Sequence, residues 1–244
     1  MDGSRRRAWR YVALWISIIL LIGAITLWMA PRWIVPQIAR RFPGCLYTVN
    51  TSAPVVALTI DDGPDPTTTP ALLRELAEHS AHATFFLISS HMAGADSLVA
   101  AMVAEGHEIG NHLTRDEPSI ALALQAFDST LIEAGEKLSQ FGPVRWTRPG
   151  GGRYNRDMVA AMGRQGYRCA LGSVYPYDAE IPSSRFSSAF LLAHARPGAI
   201  IVLHDRGGRG RRTVEALHRA LPVLQQRGLR VVTLSELAAL TPVR

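Results

Sequence analysis

Charged side chains are missing from Tyr11 to Ala30. A run of about 20 apolar residues is long enough to cross a bilayer. No polar face interrupts it, which argues against a helix packed in a globular core. Arg5, Arg6, Arg7 and Arg10 precede the run, and Trp9, Trp15, Trp28 and Trp33 lie near its ends, where interfacial anchors belong. A cleaved signal peptide is the rival reading, but the run is long for one and Met29-Ala30-Pro31 is a poor small-residue cleavage site. The arginine cluster on the short tail favours an inside N-terminus, although Arg32, Arg40 and Arg41 nearly balance it on the far side.

Cysteine is scarce. Cys45 and Cys169 are the only two, so one pairing at most is open to the chain. An exported domain would permit it, but Cys169 lies in an apolar run and reads better as a small buried hydrophobe; unpaired thiols are the expectation. Lys137 is the single lysine, a compositional bias with no functional reading. Internal repeats and low-complexity tracts are absent.

A basic excess is also missing where a polyanion-binding protein would need it. The formal charge is +6, but residues 1 to 45 carry seven arginines against Asp2 alone; 26 minus 7 basic and 20 minus 1 acidic residues leave 19 against 19 in the remainder. The globular part is neutral, no nucleic-acid partner is expected, and the basic stretch Arg206 to Arg212 reads as a solvated loop.

The expected organisation is a cytoplasmic tail at 1–10, a membrane anchor at 11–30, a juxtamembrane linker at 31–53 and one catalytic domain at 54–244. From residue 54, short β-like runs alternate with helical patterns, as in parallel sheets built from crossovers. Seven strands are predicted: 55–60, 83–88, 107–111, 145–148, 168–172, 199–203 and 230–234. Between them, a helix opens at Thr69-Pro70, and another, 213–227, contains Pro222. The pattern suggests an α/β fold, a distorted seven-stranded (β/α) barrel preceded by one N-terminal transmembrane helix; an open doubly wound sheet is the runner-up.

Potential ligands and acid–base groups cluster at the carboxyl ends of these strands: Asp61 and Asp62 after the first, His112 after the third, Arg148 at the fourth, Asp178 after the fifth, and His204 with Asp205 after the sixth. In a parallel barrel those ends share one face, where active sites are built. Two adjacent carboxylates call for a positive partner, and a metal is an economical one. His112 and Asp116, four apart, would share a side of one helical turn and could complete a three-ligand site.

Thr59-Ile60-Asp61-Asp62-Gly63-Pro64, Ala83-Thr84-Phe85-Phe86-Leu87, Gly110-Asn111-His112, Arg148-Pro149 and Leu203-His204-Asp205 resemble, in order, the motifs of the polysaccharide deacetylase family with its NodB homology domain (carbohydrate esterase family 4-like), over roughly residues 54–237. The resemblance implies a metal-dependent N-deacetylase acting on N-acetylglucosamine units of an extracytoplasmic polysaccharide. It implies Asp61 as general base, Asp62, His112 and Asp116 as metal ligands, Arg148 tuning Asp61, His204 as general acid and Asp178 orienting it. It also implies the Gly151 N–H as an oxyanion donor, with Zn2+ the first choice of metal and Co2+ or Mn2+ alternatives.

The chain departs from the family pattern in places. Gly150 and Gly151 replace a proline and an aromatic, so a wall of the substrate groove is lost, and Tyr154 is the candidate to replace it. Leu113 stands where a hydroxyl residue is usual, and Ala179 where a tryptophan is expected. Hydrolysis of a non-glycan amide and a non-catalytic glycan-binding role are the alternatives; retention of both Asp61 and His204 weighs against the second. The oligomeric state is not legible.

Overall fold

The structure is a computed structural model that describes residues 3–240. Helix α1 runs unbroken over Gly3–Arg41 with Pro31 and Pro36 inside it. Its segment Trp9–Met29 is long and apolar enough to cross a membrane, and none of it is buried. Leu20, Ile19 and Trp15 stand more than half exposed, a surface that water would not tolerate on a stable domain.

The end of this helix is joined to the domain by a consequence of its own sequence. Proline has no N–H, so Pro31 deprives the Leu27 carbonyl of its helical partner. The Tyr177 hydroxyl donates to that carbonyl at 3.3 Å. Nearby, Trp28 packs edge-on against Phe190 at 5.3 Å and Phe186 at 6.0 Å, and Arg32 Nη2 donates to the Ala193 carbonyl at 3.0 Å.

The domain is built from strands β1 (Cys45–Leu46), β2 (Val55–Asp61), β3 (Ala83–Leu87), β4 (Glu108–Asn111), β5 (Trp146–Thr147), β6 (Arg168–Ala170), β7 (Ile200–His204) and β8 (Arg230–Val232). The main helices are α2 (Thr69–Glu78), α3 (Asp96–Ala104), α4 (Leu124–Leu138), α5 (Arg156–Arg164), α6 (Ser184–His194), α7 (Gly207–Gln226) and α8 (Leu234–Ala238). The sheet order is β1-β6-β5-β4-β3-β2-β7, and β8 pairs with Val55–Ala57 at the start of β2. All ladders are parallel. The seven anticipated strands are all present, with β1 added to them. The gap between β6 and β7 is spanned by a bridge, Val174 to Ile201, so the barrel is distorted as expected.

β2 is buried along its whole length and forms the axis of the core. Leu58, Ile60, Phe85 and Leu87 meet Leu72 and Leu76 of α2, Phe190 of α6 and Leu217, Leu221 and Leu224 of α7. Each such side chain contributes roughly 1.5–3 kcal/mol on burial. This packing holds the strand ends rigidly enough to carry chemistry.

Three expectations are corrected. Cys45 and Cys169 are not free: they are register partners on β1 and β6, with Cα atoms 4.5 Å apart, and form a disulfide. Residues 45–46, read as linker, are an edge strand, and that strand delivers Cys45 to its partner. The arginine stretch is not a loop either; Gly207 begins α7, so Arg209, Arg211 and Arg212 occupy its first turns.

Candidate active site

Asp61 ends β2 and is the register partner of His204, the last residue of β7. Parallel register puts the two side chains on one face at the carboxyl ends of adjacent strands. Asp61 is buried, and Arg148 Nη1 donates to its Oδ1 at 2.5 Å. The rest of the guanidinium is committed as well: Nη1 reaches Thr59 Oγ1 at 2.9 Å, Nε the Ala170 carbonyl at 3.0 Å and Nη2 the Leu171 carbonyl at 2.7 Å. Its flat face lies 4.2 Å from the Phe86 ring centroid. A buried ion pair so completely hydrogen-bonded is a fixed one.

Asp62 takes a left-handed backbone conformation, φ 73°, uncommon for a residue with a Cβ. The turn sends its carboxylate away from the strand, towards His112. His112 Nδ1–H donates to the Arg148 carbonyl at 2.7 Å, which leaves Nε2 to face Asp62 Oδ1 at 3.5 Å and Asp61 Oδ2 at 4.0 Å. That separation is long for a hydrogen bond but suits two ligands of one metal, which at about 2.1 Å and tetrahedral angles stand about 3.4 Å apart.

Asp62 Oδ2 is buried and accepts no hydrogen bond, although Arg209 Nη1 lies 3.0 Å from it out of alignment. A carboxylate oxygen left in that state fits a divalent cation. Burial raises the Asp62 pKa, but His112, His204 and Arg209 outweigh it and bring it down to about 2.

On the opposite side, His204 Nδ1 lies 3.1 and 3.0 Å from the two oxygens of Asp178, and the His204 backbone N–H donates to Asp178 Oδ2 at 3.0 Å. Asp178 is fully buried. Burial disfavours the imidazolium, yet Asp178, then Asp61 and Asp62, more than compensate and raise His204 to about 9. Tyr175 stands edge-on to the His204 ring at 5.8 Å, so an aromatic wall exists even though Ala179 replaces the tryptophan.

Asp116 does not join Asp62 and His112. Leu113 has φ 65° and no helical turn follows β4, so the four-residue spacing loses its meaning. The Asp116 side chain is 57% exposed and reaches Arg209 Nη2 at 3.4 Å. Gly150 shows why this loop lies where it does: a Cβ there would meet the Glu117 carbonyl at 2.2 Å. The glycine that replaces the family's proline makes room for the Asp116 loop.

Gly151 has φ 67°, a conformation suited to glycine. The Tyr154 hydroxyl is spent on the Phe42 carbonyl at 2.5 Å and Tyr47 at 3.1 Å, so it belongs to the packing around the domain's amino terminus and not to the groove.

Two contributors, Arg209 and His91, were not anticipated, and Asp205, anticipated among the acid–base groups, takes a structural role instead. Arg209 spans Asp62 and Asp116; nothing distinguished it from its neighbours in a basic run. Asp205 is fully buried, accepts from the hydroxyls of Thr68 and Thr69, and so ties the end of β7 to the start of α2; burial raises its pKa to about 6. The usable signal was Thr-Thr after the first motif opposite the acid of the last. His91 Nδ1 lies 2.8 Å from the Asp62 carbonyl and braces its turn.

The polysaccharide deacetylase family model matches residues 48–170. Among curated relatives, a peptidoglycan-N-acetylglucosamine deacetylase of Bacillus cereus is 33% identical over 78% of this chain and 91% of its own. A chitooligosaccharide deacetylase of Sinorhizobium fredii is 34% identical over 77% and 93%. A solved peptidoglycan N-acetylglucosamine deacetylase superposes with a TM-score of 0.77 at 27% identity, over 84% of this chain and 97% of the other.

Proposed function

Since the chain belongs to the polysaccharide deacetylase family, we propose that it is a membrane-anchored, divalent-metal-dependent N-deacetylase of N-acetylglucosamine units in an extracytoplasmic glycan. The observation that carries this reading is the facing pair at the strand ends: Asp61 clamped by Arg148, and His204 clamped by Asp178.

Asp62 and His112 would hold the metal, with Asp116 as third ligand once Arg209 releases it; Zn2+ suits the donors best, and the oxygen-rich set admits Co2+ or Mn2+. The cation, when bound, supplies Lewis-acid chemistry that acidifies water and polarises the acetyl carbonyl. Asp61, its orientation fixed by Arg148, takes the proton from the attacking water. His204 presents Nε2 to the substrate because Nδ1 is held by Asp178, and it delivers a proton to the departing nitrogen, which cannot leave as an amide anion. The products are acetate and a glycan amine. The Gly151 N–H is the proposed oxyanion donor, worth about 3 kcal/mol if correctly aimed.

The relatives act, by name, on peptidoglycan and on chitooligosaccharide; the shared chemistry is an N-acetylated glucosamine in a chain. Residues 11–30 are the proposed span, with 1–10 inside and the domain outside. The disulfide supports that side, since such bonds persist in oxidising compartments. The packing of Trp28 on α6 supports retention of the helix over its cleavage as a leader.

The test is acetate release by the full-length protein in detergent from N-acetylglucosamine oligomers and from peptidoglycan, after chelation and reloading with Zn2+, Co2+ or Mn2+. Metal-dependent release, abolished in Asp61→Asn, is expected. Stoichiometric metal binding with no acetate from either polymer would overturn the reading.

A further inference from the structure

The pair Asp62 and His112 has a counterpart elsewhere in the molecule. On α2, Glu75, Glu78 and His79 bring one ligand atom each within 4.8 Å of one another, the one such trio of acid, histidine or cysteine groups among the described residues. The spacing i, i+3, i+4 places them on one helical face.

Two details set this trio apart from a solvated acidic patch. The first is the state of His79. Gln225 of α7 donates its Nε2–H to the His79 carbonyl at 2.8 Å, which fixes the orientation of the amide. Its Oε1 therefore faces His79 Nδ1, 3.0 Å away, and must accept from it. The proton belongs on Nδ1, and Nε2 is left with a lone pair. The second is the state of Glu75. Its side chain is 9% exposed, and Oε1 is buried with no hydrogen-bond partner, while Oε2 is held by His218 Nδ1 of α7 at 3.2 Å.

The His79 lone pair and the orphaned Glu75 Oε1 point at each other across 3.5 Å. Two acceptors this close, one of them a buried carboxylate oxygen, repel unless a cation lies between them. The distance is the same 3.5 Å that separates His112 Nε2 from Asp62 Oδ1.

We infer that Glu75, Glu78 and His79 form a second divalent-cation site at the carboxyl end of α2, separate from the hydrolytic one, whose ligands are oriented by Gln225 and His218 of α7. One imidazole and two carboxylates at these separations suit Zn2+ or Co2+ with water completing the shell. Gln225 is the partner that orients the histidine, a role such ligands regularly require. The ion lies at the carboxyl end of α2, where the helix dipole favours positive charge. His79 and Gln225 also border a cavity of about 430 Å3 at the amino ends of β3 and β8. The rival occupant is a proton, which would make His79 an imidazolium paired with Glu75.

The test counts Zn2+. Full-length protein in detergent is stripped with chelator and dialysed against buffered Zn2+, beside an Asp62→Asn/His112→Ala variant that disables the proposed hydrolytic site. That variant is expected to retain one Zn2+ per chain and to gain thermal stability from it. Adding Glu75→Gln or His79→Gln is expected to abolish that binding, and adding Gln225→Leu to weaken it about 10- to 100-fold. In the otherwise unaltered chain, Glu75→Gln should leave acetate release intact, which shows that it still folds. A disabled-site variant that is folded yet takes up no Zn2+, or one whose Zn2+ survives Glu75→Gln, overturns the inference in favour of the proton.

Discussion

Arg209 of α7 lies between Asp62 and Asp116, 3.0 Å from one carboxylate and 3.4 Å from the other. It stands where the two acids would otherwise repel, so the proposed metal would compete with the guanidinium for the same oxygens. Arg209→Ala should bind Zn2+ about three- to tenfold more tightly, as loss of a partly exposed ion pair allows. Competition with a chromophoric chelator measures this, and an unchanged affinity would show that Arg209 does not guard the site.

Asp61→Asn should lower turnover by about 10²- to 10⁴-fold, the range for loss of a general base. A larger structural effect is expected from Asp61→Ala, which strands the buried Arg148 charge and should cost about 3–5 kcal/mol. The double variant Asp61→Ala/Arg148→Met should recover part of that loss in urea unfolding. Additive losses would contradict a coupled pair.

The pH dependence follows from His204, whose pKa rises from 6.5 to about 9 on folding. A raised basic group stabilises the fold below its unfolded value, so the contribution is complete under about pH 6.5 and disappears as pH climbs through 9. In the chelated protein, Asp178→Asn should lower stability at pH 6 and flatten the decline between pH 7 and 9. Parallel stability curves for variant and parent would remove Asp178 from its role. A bound divalent cation, by repelling the imidazolium, should shift the decline to lower pH.

Reduction of the Cys45–Cys169 bond, which closes a sequence separation of 124, should cost about 2–5 kcal/mol by release of the unfolded chain. Thermal unfolding with and without reductant, beside Cys45→Ser, reads it out. Equal midpoints would mean that the thiols are not linked in solution.

Much of the fold was legible because strand and helix periods differ and the apolar runs were short and bounded. Val55–Asp61 could hardly be anything but a buried strand delivering acids to a turn. The two-residue β1 was invisible, since Cys45-Leu46 has no period to read and finds its structure only by pairing with β6. In the site, the groups on strand ends come together because the parallel sheet itself assembles them. The helical spacing read for His112 and Asp116 does not hold, because Leu113 turns the segment out of helix. Arg209, and the threonine partners of Asp205, were missed because each contact spans more than 90 positions, and local pattern carries no trace of it. His79 carried no signal in the sequence, since its partner Gln225 lies 146 positions away.

Pro31 has an effect beyond its own helix. By freeing the Leu27 carbonyl for Tyr177, it makes the N-terminal helix part of the domain's packing, one residue from the carboxylate that holds His204. A catalytic head on a flexible leash samples a volume; on the proposed reading of this helix as a membrane span, one fastened in this way would sample a plane. Its working range would then be set by lateral diffusion and by how near a glycan strand comes to the membrane, and lengthening the connection to Cys45 would not extend it while Trp28 and Tyr177 keep their grip.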